Sequence, residues 1–169
     1  MKILFVSSEC APFSKSGGLA DVAFSLPPAL QKTGDDIAIV TPMYRVTQEN
    51  YGDEFERIKT CQIVLGQRRL ACSLYRGALN GVTVYAIGNE HLFHRPRLYG
   101  YGDDSLRFAF FCRAVIDLLP EFGDLPDILH CNDWETALAI LYLKNDAVLR
   151  PELSHIKTVY TIHNIEYQG

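Results

Sequence analysis

Three short polar stretches carry residue types from which a ligand site can be built: Lys15-Ser16-Gly17-Gly18-Leu19-Ala20-Asp21, Asn132-Asp133 and His163-Asn164. The first follows the apolar run Ile3-Leu4-Phe5-Val6 and precedes Leu19, Val22, Ala23 and Leu26 at helical spacing. It therefore reads as a glycine-rich turn from a buried strand into a helix. Free N–H groups and the positive dipole end at a helix start suit a phosphate. The Gly17-Gly18 pair admits φ > 0 and lets a ligand approach where no Cβ intrudes. Lys15 adds a mobile point charge at the mouth of the turn. The chemistry expected is binding of an anion, with a diphosphate the best fit. A tight turn beside a surface lysine is the plain alternative. Neither G-x-G-x-x-G nor G-x-x-x-x-G-K-[ST] occurs, which disfavours an ordinary dinucleotide oxidoreductase and a P-loop NTPase.

The elements that must position these residues alternate along the chain. Buried strands are expected at 3–6, 37–40, 82–87, 127–130 and 157–162, and helices at 105–119 and 134–144. The first helix is expected to kink or restart at Pro27-Pro28 and to finish over 29–32, because proline removes an intrahelical bond. Residues 48–56 read as an irregular surface segment. Residues 61–65 and 70–75 flank Gly66-Gln67-Arg68-Arg69 as an antiparallel hairpin, and Asn80-Gly81 is a strong turn signal. Cys61 and Cys72 are expected to face each other across that hairpin. Residues 88–104 form a long loop whose aromatic and histidine content argues against disorder. The fold class is α/β: a Rossmann-like, doubly wound, mostly parallel sheet with a small antiparallel hairpin.

In such sheets ligands bind beyond the carboxyl ends of the strands, at the switch point. All three polar stretches fall at strand ends, and that coincidence is the main argument for a ligand cleft. Each has an ordinary reading by itself. Asp133 suits a helix N-cap, His163 suits a satisfied buried histidine, and Glu135 suits a first-turn acid favourable to the helix dipole. His91 and His94 stand three apart without an evident third ligand, so no metal site is expected.

Composition narrows the classes further. The chain has 169 residues with 48% hydrophobic and 21% charged residues and a net charge of −4. One domain of ordinary core size is expected, with no basic footprint for nucleic acid. The apolar run after Lys2 is too short for a membrane span or a signal peptide, so a protein that is intracellular, or numbered after processing, is expected. Five cysteines without a C-x-x-C pair argue against a disulfide framework or a zinc knuckle. Cys10 sits near the glycine turn, where packing is its expected role.

Read together, the motifs resemble bacterial glycogen synthases and plant starch synthases. Lys15 to Val22 is similar to their K-x-G-G-L motif, and Ile3 to Phe13 to the start of their catalytic region. His130-Cys131-Asn132-Asp133-Trp134 resembles their H-x-x-D-W stretch, and Thr161 to Gly169 their T-x-H-N-x-x-Y-Q-G stretch. Phe93 to Phe108 resembles the tyrosine- and glycine-rich loop between them. The resemblance implies residues 1–169 as an incomplete N-terminal catalytic domain of a two-domain GT-B enzyme. That enzyme would transfer glucose from ADP-glucose to the non-reducing end of an α-1,4-glucan with retention. Carried over, Lys15 and the Gly17-Gly18 backbone contact the donor diphosphate, and His163 and Asn164 lie at the donor glucose. Asp133 and Tyr99 or Tyr101 fall on the acceptor side, with Asp21 a weaker candidate there. His163 and Asp133 are the expected catalytic residues, and neither metal nor cofactor is implied.

Two departures stand out. The E-x7-E carboxylates and the second domain lie outside this chain, and Pro28 adds a proline where a helix former would be usual. A noncatalytic glucan- or nucleotide-binding module and a GT-B transferase using a UDP-sugar are the alternatives. The expected partners are a nucleotide sugar and an α-1,4-glucan, without nucleic acid or membrane. Self-association through an exposed sheet edge is a further expectation. The compartment implied is the cytoplasm for a bacterial protein or the plastid for a plant one.

Overall fold

The computed structural model describes residues 1–166; Tyr167, Gln168 and Gly169, the end of the last motif, lie outside the described residues. Lys2–Val6 (β1) leads through the glycine turn to Gly18–Lys32 (α1), then to Asp36–Pro42 (β2) and Arg45–Tyr51 (α2). Glu56–Leu65 (β3), Arg68–Leu79 (β4) and Val82–Gly88 (β5) follow as a meander. Glu90–Phe93 (α3), Asp104–Asp117 (α4), Ile128–Asn132 (β6), Trp134–Asp146 (α5) and Lys157–Thr161 (β7) complete the order.

The strands form one seven-stranded sheet in the order β3-β4-β5-β2-β1-β6-β7. β5, β2, β1, β6 and β7 are mutually parallel, while β3-β4 and β4-β5 are antiparallel. The hairpin is therefore longer than its apolar core suggested, and it is continuous with the main sheet through β5. Asn80 and Gly81 have φ of 50° and 84°, the paired left-handed geometry of a type I′ turn that matches strand twist. Cys61 and Cys72 are directly opposed, and all five cysteines are free thiols.

Period-two alternation sends successive β1 residues to opposite faces. Leu4 and Val6 join a core with α4 and α5 residues such as Phe110, Phe111, Val115 and Leu143. Ile3 and Phe5 join a second core with Ala23 of α1, Ile37, Ile39 and Phe13. Both faces are covered, which makes the sheet doubly wound as expected.

Two local expectations are corrected. The first helix does not restart at Pro27-Pro28: α1 is one helix through both prolines. Its Ala23 and Pro27, four apart, are buried against the sheet, and that packing outweighs the lost intrahelical bonds. Residues 48–56 are not irregular: α2 and a 3-10 turn at Gly52–Glu54 occupy most of them. The helix is held by tertiary contacts rather than by a strong periodic pattern. Tyr44 and Thr47 are buried, and Thr47 Oγ1 donates to Phe13 O at 3.0 Å. The long loop is also partly structured. Asn89 caps α3 by accepting from Leu92 N at 2.9 Å.

Candidate functional site

β1 lies between β2 and β6, where the strand order reverses. The carboxyl ends of β1, β6 and β7 therefore stand side by side, at Val6, Asn132 and Thr161. The three polar stretches of the sequence emerge there. Side-chain hydrogen bonds tie Asn132-Asp133 to His163-Asn164, while the glycine turn is held by Glu9.

Asn132 is fully buried at the end of β6. Its Nδ2 donates to Val6 O at 3.0 Å and to His130 O at 3.3 Å. Oδ1 must then be the acceptor that faces His163 Nε2 at 2.9 Å. His163 Nε2 therefore carries a proton and donates it to Asn132. Asp133 Oδ1 accepts from His163 N at 2.6 Å and from Asn164 N at 3.3 Å. Asp133 does sit at the N-cap position of α5, but its side chain makes no capping bond. The N-cap expectation is thus corrected: the carboxylate clamps the chain after β7. Its backbone has φ 57° and ψ 176°, a conformation essentially reserved for glycine that costs about 1–3 kcal/mol. Strain of that kind is kept where surroundings over-determine the geometry.

The glycine turn differs in detail from its sequence reading. Gly17 is extended, at φ −148° and ψ −161°, and neither Gly17 nor Gly18 has positive φ. A Cβ at either position would meet nothing within 4 Å. Neither backbone strain nor internal crowding calls for glycine there, and clearance above the turn is what the pair provides. Lys15 Nζ lies 2.6 Å from Asp21 Oδ1, and both side chains are more than half exposed. An exposed pair of this kind contributes little, so Lys15 is free to exchange partners.

Glu9 escaped the sequence reading. It is buried, and its Oε2 accepts from Ser16 N at 2.5 Å and Gly17 N at 3.1 Å. Its Oε1 accepts from Ser16 Oγ at 2.6 Å and Tyr99 OH at 2.9 Å. The turn's first two amides are therefore already occupied by an internal anion. The Gly18 N–H, in the first helical turn, has no carbonyl partner within the helix, and Gly18 is exposed.

Of the two candidate tyrosines, Tyr99 reaches this cluster, also lying 2.9 Å from Ser8 Oγ. Burial pushes its phenol well above the usual range. Tyr101 instead serves its own loop: its OH accepts from Arg97 N at 3.0 Å, and Arg95, Arg97 and Arg107 stack over its ring. The loop is fixed by Arg107, fully buried on α4. Arg107 donates to Leu92 O, Leu98 O and Asp104 Oδ1 at 2.7, 2.9 and 2.5 Å. A two-pronged Arg95–Asp103 pair at 2.6 and 2.7 Å closes the loop's base. Arg107 stands between Leu106 and Phe108 on α4, and that placement was the available sequence signal for the anchor.

Glu135 lies in the first turn of α5, as expected. It is buried beneath the site, and its Oε2 has no hydrogen-bond partner among the described residues. Burial, with the charges of Asp133 and Glu9 adding to it, raises its carboxyl to about 8. Cys10 is fully buried and its thiol is pushed up to about 12 by burial, as a packing residue should be. His94 Nδ1 lies 3.1 Å from Glu90 Oε1. No group of three or more His, Cys, Asp or Glu side chains able to hold a metal occurs among the described residues.

Comparison with known proteins places this geometry. The sequence model of the starch synthase catalytic domain matches residues 2–169. The chain belongs to the starch synthase catalytic domain family. It is 43% identical to the glycogen synthase of Geobacillus thermodenitrificans over 171 aligned residues, covering all of this chain and 35% of that protein. The glycogen synthase of Clostridium novyi is likewise 43% identical, with 36% of its length covered. The catalytic domain of starch synthase IV from Arabidopsis thaliana, bound to ADP and acarbose, superposes with a TM-score of 0.84 at 31% identity. That match covers 98% of this chain and 34% of the other. The chain thus spans about a third of the length of these relatives, and its sheet corresponds to part of a GT-B catalytic domain.

A native carboxyl at about 8, against about 4.5 when unfolded, has a defined effect on stability. Between those values the folded state holds a proton that the unfolded state has lost, so stability falls as pH rises through that window. Replacing Glu135 with Gln removes the effect. Thermal unfolding at several pH values is expected to show Glu135→Gln gaining on the wild type steadily from pH 5 to pH 8. A difference between the two that does not change with pH would contradict the buried, protonated carboxyl.

Proposed function

We propose that the protein carrying this chain transfers glucose from ADP-glucose to the non-reducing end of an α-1,4-glucan, with retention. The chain would supply part of the donor-phosphate, donor-sugar and acceptor wall of the cleft, as an incomplete N-terminal catalytic domain. The observation that carries the reading is the meeting of Lys15 and Gly18, His163 and Asn164, and Tyr99 at one sheet end. The likeness to a starch synthase solved with ADP and acarbose supports it, and favours an adenine nucleotide over a UDP-sugar.

In this reading the departing diphosphate gathers negative charge as the glycosidic bond breaks, and the sugar gains oxocarbenium character. Lys15 would leave Asp21 for the diphosphate, while the Gly18 N–H and the α1 dipole act on the same charge. Groups fixed in advance and aimed at developing charge stabilise the transition state selectively. His163 would act through position. Asp133 holds its amide and Asn132 holds its ring, and an activated diphosphate leaving group asks for no strong protein base. Asn164, tied to the same carboxylate, would border the donor glucose. Tyr99 and Asp133 would border the acceptor, with Tyr101 and Asp21 behind them. No metal or cofactor enters this scheme.

No helix among the described residues is long and apolar enough to cross a membrane. We place the protein in the cytoplasm of a bacterium, or in a plastid if its source is a plant. We also propose that residues 1–169 self-associate through β7, whose outer edge pairs with no strand among the described residues and lies beside exposed Val159, Tyr160 and Ile162. Sedimentation of this 19.0 kDa chain should show concentration-dependent dimers that Val159→Lys abolishes. A monomer at every concentration would refute the contact.

The donor assignment is tested by Lys15→Ala in the intact protein. The loss of one preorganised charge contact should cost ~2–4 kcal/mol in kcat/KM for ADP-glucose. An unchanged kcat/KM would overturn it.

A further inference from the structure

We propose that Glu9 is a positioning residue that couples the acceptor-side loop to the donor-phosphate turn. The inference rests on the donor and acceptor reading given above. Glu9 is 4% exposed, and its two oxygens take four hydrogen bonds. Three come from the turn: Ser16 N, Ser16 Oγ and Gly17 N. The fourth comes from Tyr99 OH, ninety residues away in sequence. A carboxylate can only accept, so Tyr99 must donate to it; the Ser8 hydroxyl is then left to donate to Tyr99. One side chain therefore holds both loops.

Each arm is itself held. The backbone at Glu9 is pinned by Ser7, whose Oγ donates to Glu9 O at 2.7 Å. Tyr99 packs against Phe108 at 5.7 Å between ring centroids, and the carbonyl of neighbouring Leu98 is gripped by Arg107. A shift of the tyrosine ring toward or away from a glucan must change the fourth bond on Glu9. The carboxylate then pulls differently on Ser16 and Gly17, because its burial leaves the four bonds as its main support. Glu9 also fills the two turn amides that would otherwise accept an anion. That leaves Lys15 and the Gly18 N–H for the diphosphate and fixes the turn before the donor arrives. The cost of ordering the loop is then met in folding rather than in binding.

The test uses the intact protein with Tyr99→Phe, Glu9→Ala and the double variant. Tyr99→Phe keeps the ring and removes only the bond to Glu9 and its Ser8 partner. Two quantities are read: amide hydrogen exchange at Ser16 and Gly17, and the affinity for ADP. Tyr99→Phe is expected to speed exchange at both amides and to weaken ADP by about 5- to 10-fold, the scale of one ordinary hydrogen bond. In the Glu9→Ala background, adding Tyr99→Phe should change neither quantity further. Glu9→Gln replaces Glu9→Ala if the latter does not fold, since it keeps the volume and removes one acceptor oxygen. Unchanged exchange at Ser16 and Gly17 in Tyr99→Phe overturns the coupling, as does unchanged ADP affinity in a protein that binds ADP. If the wild type does not bind ADP, the donor reading falls, while the exchange result still decides whether Glu9 joins the two loops.

Discussion

The pairing of β1 with β6 is the contact on which the rest of the site depends. β1 has β2 on its other side, and it is followed first by crossovers to that side and only later by β6. The loops leaving β1 and β6 therefore diverge to opposite faces and open a crevice between them, as doubly wound sheets do at a switch point. The parallel register of Ile3 to Val6 on Ile128 to Cys131 sets Asn132 one residue beyond Val6. That offset lets the Asn132 amide bridge from Val6 O to the His163 ring. A slip of one residue would turn Asn132 to the other face and leave both groups without their partner.

Around this frame the site concentrates polar groups that are largely shielded from solvent. Glu9, Asn132, Asp133 and Glu135 are all buried, and the first three are satisfied by hydrogen bonds. Glu135 keeps one oxygen without a partner among the described residues, and Asp133 holds a strained backbone. A fold selected for stability alone has no need of either feature. Polar groups fixed in advance near the place where charge develops are what transfer of a sugar from a diphosphate requires. The strain at Asp133 is balanced by two amide bonds to the chain after β7, so the same residue that costs stability orders His163 and Asn164.

Much of this architecture was legible in the sequence, and for a physical reason. Runs such as Ile3 to Val6 and Ile37 to Val40 are buried on both faces, so their apolar character is continuous and unambiguous. Asn80-Gly81 announces its turn because few other residues tolerate two successive positive φ angles. The misplaced features depended on contacts distant in the chain. α2 is anchored by Phe13, and α1 survives two prolines because of the sheet beneath it. Lys15, the glycines, Asn132-Asp133 and His163-Asn164 were visible through their position at strand ends. Glu9 was not: an acid three residues past an apolar run looks like a surface group until Tyr99 and the glycine turn are seen to close over it. The burial of Glu135 was not legible either, because local helix chemistry gives no sign that α5 buries its first turn.

The most direct test of the account is a crystal structure of the intact protein with ADP and a malto-oligosaccharide bound. The account expects the diphosphate against Lys15 Nζ and the Gly18 N–H, with Ser16 N and Gly17 N still bonded to Glu9. The sugar end should lie beside His163 and Asn164. A diphosphate seated on the Ser16 and Gly17 amides with Glu9 displaced, or bound away from the glycine turn altogether, would contradict it.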